Sequence, residues 1–104
     1  LEERNKMMSQ RFKNQKELFE YVWANRPHVS EISGKPLLYP NHPKFHWQFA
    51  HILAKGCYKG YALNENNIML MLPEEHERQE SYEIFQEKKE ELKRAYYADK
   101  NIKH

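Results

Sequence analysis

The sequence predicts a small α+β domain: a two-stranded antiparallel hairpin leads into a helix, and a further helix packs across the hairpin from the N-terminal side. Three patterns predict it. Apolar residues recur at three- and four-residue spacing between Asn5 and Asn25, two short strand-like runs flank a glycine-containing loop, and Pro73 opens a glutamate-rich segment reaching about Tyr97.

The first pattern places Met8, Phe12, Leu18, Phe19, Val22 and Trp23 on one side of an amphipathic helix, which Pro27 stops. From Arg26 to Pro43 four further breakers, Gly34, Pro36, Pro40 and Pro43, together with Ser30 and Ser33, make turns around at most a short strand at Leu37–Tyr39. The run Phe45–Leu53 is rich in strand-favouring aromatics, and its alternation sets Phe45, Trp47, Phe49 and His51 on one side of a strand ending near His51. Gly56, Gly60 and the polar stretch Asn64–Asn67 form the loop before the second strand, Ile68–Leu72.

Pro73 suits the first helical position, where a missing N–H costs nothing, and Glu74, Glu75 and Glu77 meet the electropositive helix start. One continuous helix is expected to about Tyr97. Its later apolar residues, Tyr82, Ile84, Phe85, Leu92, Tyr96 and Tyr97, are sparse, so part of it projects into water or packs on a partner, a second copy of the chain included. The divisions within a single domain spanning 1–104 are an N-terminal helix over 1–26, a ββα core over 30–80 and a C-terminal helix over 73–97.

At 104 residues, with 39% hydrophobic and 31% charged residues, the chain fills one modest core and leaves no material for a second. A net charge of +2 and a pI near 8.6 permit nucleic-acid contact without demanding it. The single cysteine, Cys57, excludes an intrachain disulfide and any Cys-x-x-Cys zinc knuckle, and suggests a reducing, cytoplasmic location. No apolar run approaches the roughly 20 residues of a membrane-spanning helix, so a soluble protein without membrane partners is expected. Leu1 is not a start methionine, so the numbered chain reads as a processed product, a fragment or part of something longer.

Chemistry is suggested by order rather than by any one residue: a strand ending in histidine, a glycine-containing loop, an asparagine, a second strand, then a helix bearing His76 and Glu80. On one helix these two stand four positions apart on the same face, where imidazole and carboxylate can grip one cation. That ligand pair suits zinc, manganese or nickel, and magnesium less well.

Ala50-His51-Ile52, then Asn67-Ile68, then Leu70, Leu72 and His76, resemble the Asp/His-His-Ile, Asn-Leu and Leu-x-x-x-x-x-His signature of the HNH endonucleases, with the family's usual interval from asparagine to helix histidine. The resemblance spans about Ser30 to Glu80. It implies a ββα module that binds DNA and a divalent ion (Mg, Mn, Ni or Zn), of the kind common in phage and mobile-element genomes. Carried over residue by residue, it implies His51 as general base, Asn67 as the residue that orients the histidine or its loop, and His76 and Glu80 as metal ligands. Lys44, Lys55, Lys59 and Arg78 flank that site as candidate DNA contacts. The expected activity is a metal-dependent DNA endonuclease or nickase.

Two departures qualify the resemblance. Ala50 stands where the family has a ligating Asp or His, and a methyl group binds no cation; His46 lies too far back along an extended strand to replace it, leaving Gln48, Asn67 or water. Ser30-Glu31-Ile32-Ser33-Gly34 has the spacing of the family's Cys-x-x-Cys-Gly knuckle with serines for cysteines, and Leu72 and Glu75 occupy the partner positions, so no structural zinc is expected. A degenerate HNH-fold adaptor that binds DNA or protein therefore stays open, as does a purely helical interaction protein. Trp47 and Phe49 read as core residues, and Cys57 lacks the partners of a nucleophile.

Overall fold

The computed structural model describes residues 12–54, 57–58 and 60–102, with side chains to 98. The architecture is α+β, as expected. Helix α1 (Gln15–Asn25) precedes strand β1 (Phe49–His51), which pairs antiparallel with β2 (Ile68–Leu70); helices α2 (Pro73–Glu77) and α3 (Glu83–Ile102) follow.

Helix α1 starts later than the apolar spacing suggests. Asn14 is extended and its side chain accepts the Glu17 N–H at 2.9 Å, while the Glu17 carboxylate takes the Lys13 N–H at 3.1 Å. These reciprocal caps satisfy donors that a longer helix would have used internally and fix the start at Gln15. Phe12 is outside the helix, and the portion expected over Asn5–Arg11 lies outside the described residues. At the other end Arg26 turns extended before Pro27, the conformation that a following proline favours.

The strands pair Phe49 with Leu70, Ala50 with Met69 and His51 with Ile68. Bonds from Met71 N to Gln48 O (3.0 Å) and Ile52 N to Asn67 O (2.8 Å) carry the ladder one step past each end. Because successive side chains on a strand point to opposite faces, the apolar run of β2 serves two cores. Ile68, Leu70 and Leu72 join Phe49, Phe45 and Leu37 against Leu18, Phe19 and Val22 of α1. Met69 and Met71 join Ala50, Ile52, Leu53 and Tyr61 against Phe85 and Leu92 of α3. The sheet is a thin layer between two helices. Phe85, wholly buried, anchors α3 with roughly 2–3 kcal/mol of transfer free energy.

Three expectations are corrected. Residues Phe45–Gln48 form a 3-10 helix rather than the start of the strand. Its cause is Gln48, fully buried, whose amide accepts the Leu38 N–H at 2.6 Å and donates to the carbonyls of Leu38 and Phe45, both at 3.2 Å. Those bonds hold the backbone coiled, and Trp47, expected in the core beside Phe45, is 53% exposed. The connector, expected to hold at most a short strand at Leu37–Tyr39, has none there and pairs through a single bridge between Val29 and Pro36.

The third correction is that the helix opening at Pro73 does not run through to Tyr97. Arg78 leaves helical geometry, Gln79–Ser81 make a 3-10 turn, and Tyr82 is extended before α3 begins. Ser81 closes the turn by donating its hydroxyl to the Arg78 carbonyl at 2.7 Å. Beyond the turn, Tyr82 packs beside the α3 core.

The turn after α1 braces the molecule. Gly34, at φ +79, closes a tight loop in which the Ser30 hydroxyl accepts the N–H groups of Ile32 and Ser33 at 3.0 and 3.1 Å. The same hydroxyl donates to the buried Glu75 carboxylate at 2.6 Å, and that carboxylate also takes the Leu72 N–H at 2.8 Å. Burial works to raise the Glu75 pKa. The Ser30 and Ser33 hydroxyls, the Leu72 amide and the charge of Lys35 outweigh it, so the carboxyl sits below its ordinary value. Positions 30, 33, 72 and 75 do converge, through hydrogen bonds.

Glu31 in this turn shields the outer edge of β2. Its N–H donates to the Leu70 carbonyl at 2.8 Å and its carboxylate accepts the Leu70 N–H at 3.0 Å, the two bonds a third strand would supply. Arg26 completes the junction, donating to the carbonyls of Ile68 at 2.6 Å and Glu65 at 2.5 Å.

Candidate functional site

The site is built where β1 ends. His51 is half-buried opposite Ile68, its ring 6.2 Å from that of Phe19 in α1. Beyond it the chain is held by Asn67. This fully buried amide accepts the Leu53 N–H at 2.7 Å and donates to the Leu53 carbonyl at 3.1 Å, so one side chain satisfies both backbone groups of a buried loop residue. Asn67 therefore holds the loop that follows His51 through the Leu53 backbone.

The His51 ring borders a cleft of about 830 Å³ between α1 and the 3-10 helix, with its Nε2 buried away from solvent. Aromatic rings of Phe19, Trp23, Phe45 and Phe49 line it, and Phe19 stacks on Phe49 at 4.2 Å and 11°. Lys16 and Glu20 stand at its rim, paired at 3.4 Å in an exposed contact. His46 lines it too. Strand alternation assigns His46 to the face opposite His51, but the 3-10 helix, with three residues per turn, reverses that parity and brings both imidazoles to one cleft. His46 and Lys16 are the members that sequence reasoning missed; the signal was the lone buried glutamine, Gln48, that coils the strand entry.

The expected metal ligands lie elsewhere, each with its own partners. His76 lies on α2, and its Nδ1 is 2.7 Å from the Trp47 carbonyl, at the opposite end of β1 from His51. A carbonyl only accepts, so that nitrogen carries the proton. Glu80 falls in the 3-10 turn after α2, so the four-residue spacing no longer stacks it over His76. Its carboxylate accepts from Gln86 Nε2 at 2.6 Å and pairs with Lys89 at 3.3 Å. The Gln86 bond lowers the Glu80 pKa against the opposing effect of burial, with Lys89 and Lys93 adding to the lowering.

The other substitutes are committed as well. Ala50 is fully buried against the α3 core, and Gln48 and Asn67 spend their amides on backbone. Among the described residues no three His, Cys, Asp or Glu side chains converge to hold a metal ion. The described residues by themselves do not assemble a site for the divalent ion that the resemblance implies.

Of the candidate DNA contacts, Lys44 sits with its ammonium 5.6 Å from the Trp47 ring and borders a separate groove of about 480 Å³, with His42, Glu74 and Glu77. Arg78 is exposed at the end of α2. Lys55 and Lys59 lie outside the described residues. Among the described residues, no helix is long and apolar enough to cross a membrane. No family model, curated protein or solved structure matches the chain.

Proposed function

We propose that the chain is an HNH-like module that hydrolyses phosphodiester bonds in nucleic acid, DNA being the substrate its sequence resemblance implies, with His51 as general base. The observation that carries this reading is the clamp of Asn67 on Leu53, which pins the loop behind a strand-end histidine bordering an open cleft. A base contributes only when its nitrogen is held within hydrogen-bond reach of the attacking water, so the His51 ring must turn its buried Nε2 toward the cleft to act, and a neutral imidazole is matched to that proton transfer. His51 takes the proton, Asn67 keeps its loop from wandering, and Lys16 at the rim meets phosphate charge. His76 and Glu80 supply no ion to this chemistry as they stand.

The test is plasmid nicking, assayed in turn with magnesium, manganese, nickel and zinc and with chelator. His51→Ala is expected to lower the rate at least about 100-fold while the fold persists. Unchanged nicking by that variant overturns the assignment. The adaptor reading is favoured by one specific feature, the burial of Ala50 where the family ligates metal. DNA retention in a mobility-shift gel, with no cleavage under any metal, would establish that reading instead.

A further inference from the structure

We infer that the groove beside Trp47 docks a partner protein through an arginine flanked by apolar residues, the guanidinium lying over the Trp47 ring and meeting Glu74 and Glu77. This face is at the opposite end of β1 from His51, and the inference stands independently of the reading of His51 as base.

The groove is held in shape before anything enters it. Trp47 is 53% exposed, yet its N–H donates to the Lys44 carbonyl at 3.1 Å and its carbonyl accepts the His76 Nδ1–H at 2.7 Å. The connector wall is held too, because the buried Gln48 amide bonds both backbone groups of Leu38, at 2.6 and 3.2 Å. A large ring on a fixed backbone loses little freedom when a partner covers it. Tryptophan accordingly recurs among the few side chains that carry most of an interface's energy. The space beside it, about 480 Å³, has an apolar side formed by Leu38, Leu72 and Pro73.

Charge identifies the occupant. Glu74 and Glu77 line the same groove, three positions apart on α2 and so neighbours on its surface. Among the described residues neither takes part in an ion pair. The Trp47 ring already seats a cation, the Lys44 ammonium, 5.6 Å from its centroid. A guanidinium is planar, stacks on an indole face, and carries five donors in a fork that can serve two carboxylates at once. It satisfies the ring and the acidic wall together, while apolar neighbours in the partner cover Leu38 and Pro73. A nucleic-acid strand fits less well, since its phosphates would lie against two carboxylates. Lys44 is then a resident competitor for the ring rather than a contact to phosphate.

The experiment follows the fluorescence anisotropy of a labelled peptide of alternating leucine and arginine, titrated with the full chain. A second peptide carries citrulline for arginine, which keeps the shape and removes the charge. Expected is saturable binding of the arginine peptide, weaker by at least about 10-fold for citrulline, for Trp47→Ala, and for Glu74→Gln combined with Glu77→Gln. Lys44→Ala should bind the arginine peptide more tightly than Lys88→Ala does, although each removes one positive charge. These side chains are on the surface, so the variants report contact rather than folding, which circular dichroism checks. Absence of saturable binding, equal binding of the citrulline peptide, or binding unchanged in Trp47→Ala overturns the inference. A labelled single-stranded DNA that displaces the peptide and loses affinity in Trp47→Ala overturns it as well, and gives the groove to nucleic acid.

Discussion

Replacing Asn67 tests the frame behind His51 most directly. Asn67 and Leu53 are both wholly inaccessible, and the two bonds between them, at 2.7 and 3.1 Å, are the ones the structure gives for the Leu53 amide and carbonyl. Asn67→Ala strands one buried donor and one buried acceptor, each costing about 1–3 kcal/mol, so a loss of about 2–6 kcal/mol is expected. Urea denaturation followed by the fluorescence of Trp23 and Trp47 reads this. With a slope of about 1.5 kcal/mol per molar, the midpoint falls by roughly 1.3–4 M. Asn67→Asp refines the argument, since the carboxylate keeps the acceptor but sets a second oxygen against the Leu53 carbonyl unless it is protonated. Burial and that carbonyl raise its native pKa above the unfolded value of about 3.9. The native state of the variant then binds protons more tightly than the unfolded state. Its stability, measured relative to the unmodified protein, is greatest below that value and falls as pH rises through the native pKa. A loss under about 1 kcal/mol in the alanine variant would refute the reasoning, because it would mean that the loop satisfies its backbone some other way.

Other outcomes follow from the same structure. The Glu75 carboxyl, held below its ordinary pKa, contributes stability that is complete above about pH 4.3 and is lost as pH falls through the lower native value. Glu75→Gln should flatten that acid limb and cost about 1–2 kcal/mol at neutral pH in the same urea assay; an unchanged acid limb would remove Glu75 from the account. Because Ser30 and Glu75 meet through hydrogen bonds, chelator is expected to leave the Tm unchanged, and a drop of several degrees would show a metal in the brace. Sequence alone suggests that Ala50→Asp completes a metal site, but Ala50 is buried among Met69, Met71 and Phe85, so the carboxylate would be an unpaired buried charge. A loss of about 3 kcal/mol or more is expected, without manganese binding by calorimetry; a stable variant that binds manganese would contradict the packing described.

The parts of this fold legible in the sequence are those fixed by local rules acting alone. Pro27 ends α1, Pro73 begins α2, and the apolar run before it is β2. A role for Asn67 in orienting the histidine or its loop came only from the family resemblance; its amide is bonded to the Leu53 backbone. What misled were positions where one side chain reaches a distant backbone. Gln48 bonds across ten positions to Leu38 and coils a segment whose aromatics favour a strand, which moves Trp47 outward and His46 into the cleft. Arg78 leaves helical geometry in a segment whose charge pattern is continuous, so Glu80 falls in a 3-10 turn rather than on the helix face of His76. Spacing places residues on a face only while the period holds, and each interruption moves a residue off its assigned face: His46 into the cleft, and Glu80 off the helix.

The brace between Ser30 and Glu75 joins positions 45 apart in the chain using hydroxyl and carboxylate groups. Closing so long a loop early in folding costs entropy that a thiolate–zinc cluster would offset through strong coordination, making the rate of folding depend on zinc supply. Here the closing contact forms within the chain itself, so its rate carries no dependence on any second species. Oxygen ligands also lack the oxidation states of sulfur, so a pulse of peroxide that would dismantle a cysteine knuckle leaves this junction chemically untouched. The only sulfur nucleophile in the chain, Cys57, is exposed in the loop between β1 and β2, and its oxidation leaves the junction of α1, β2 and α2 as it was.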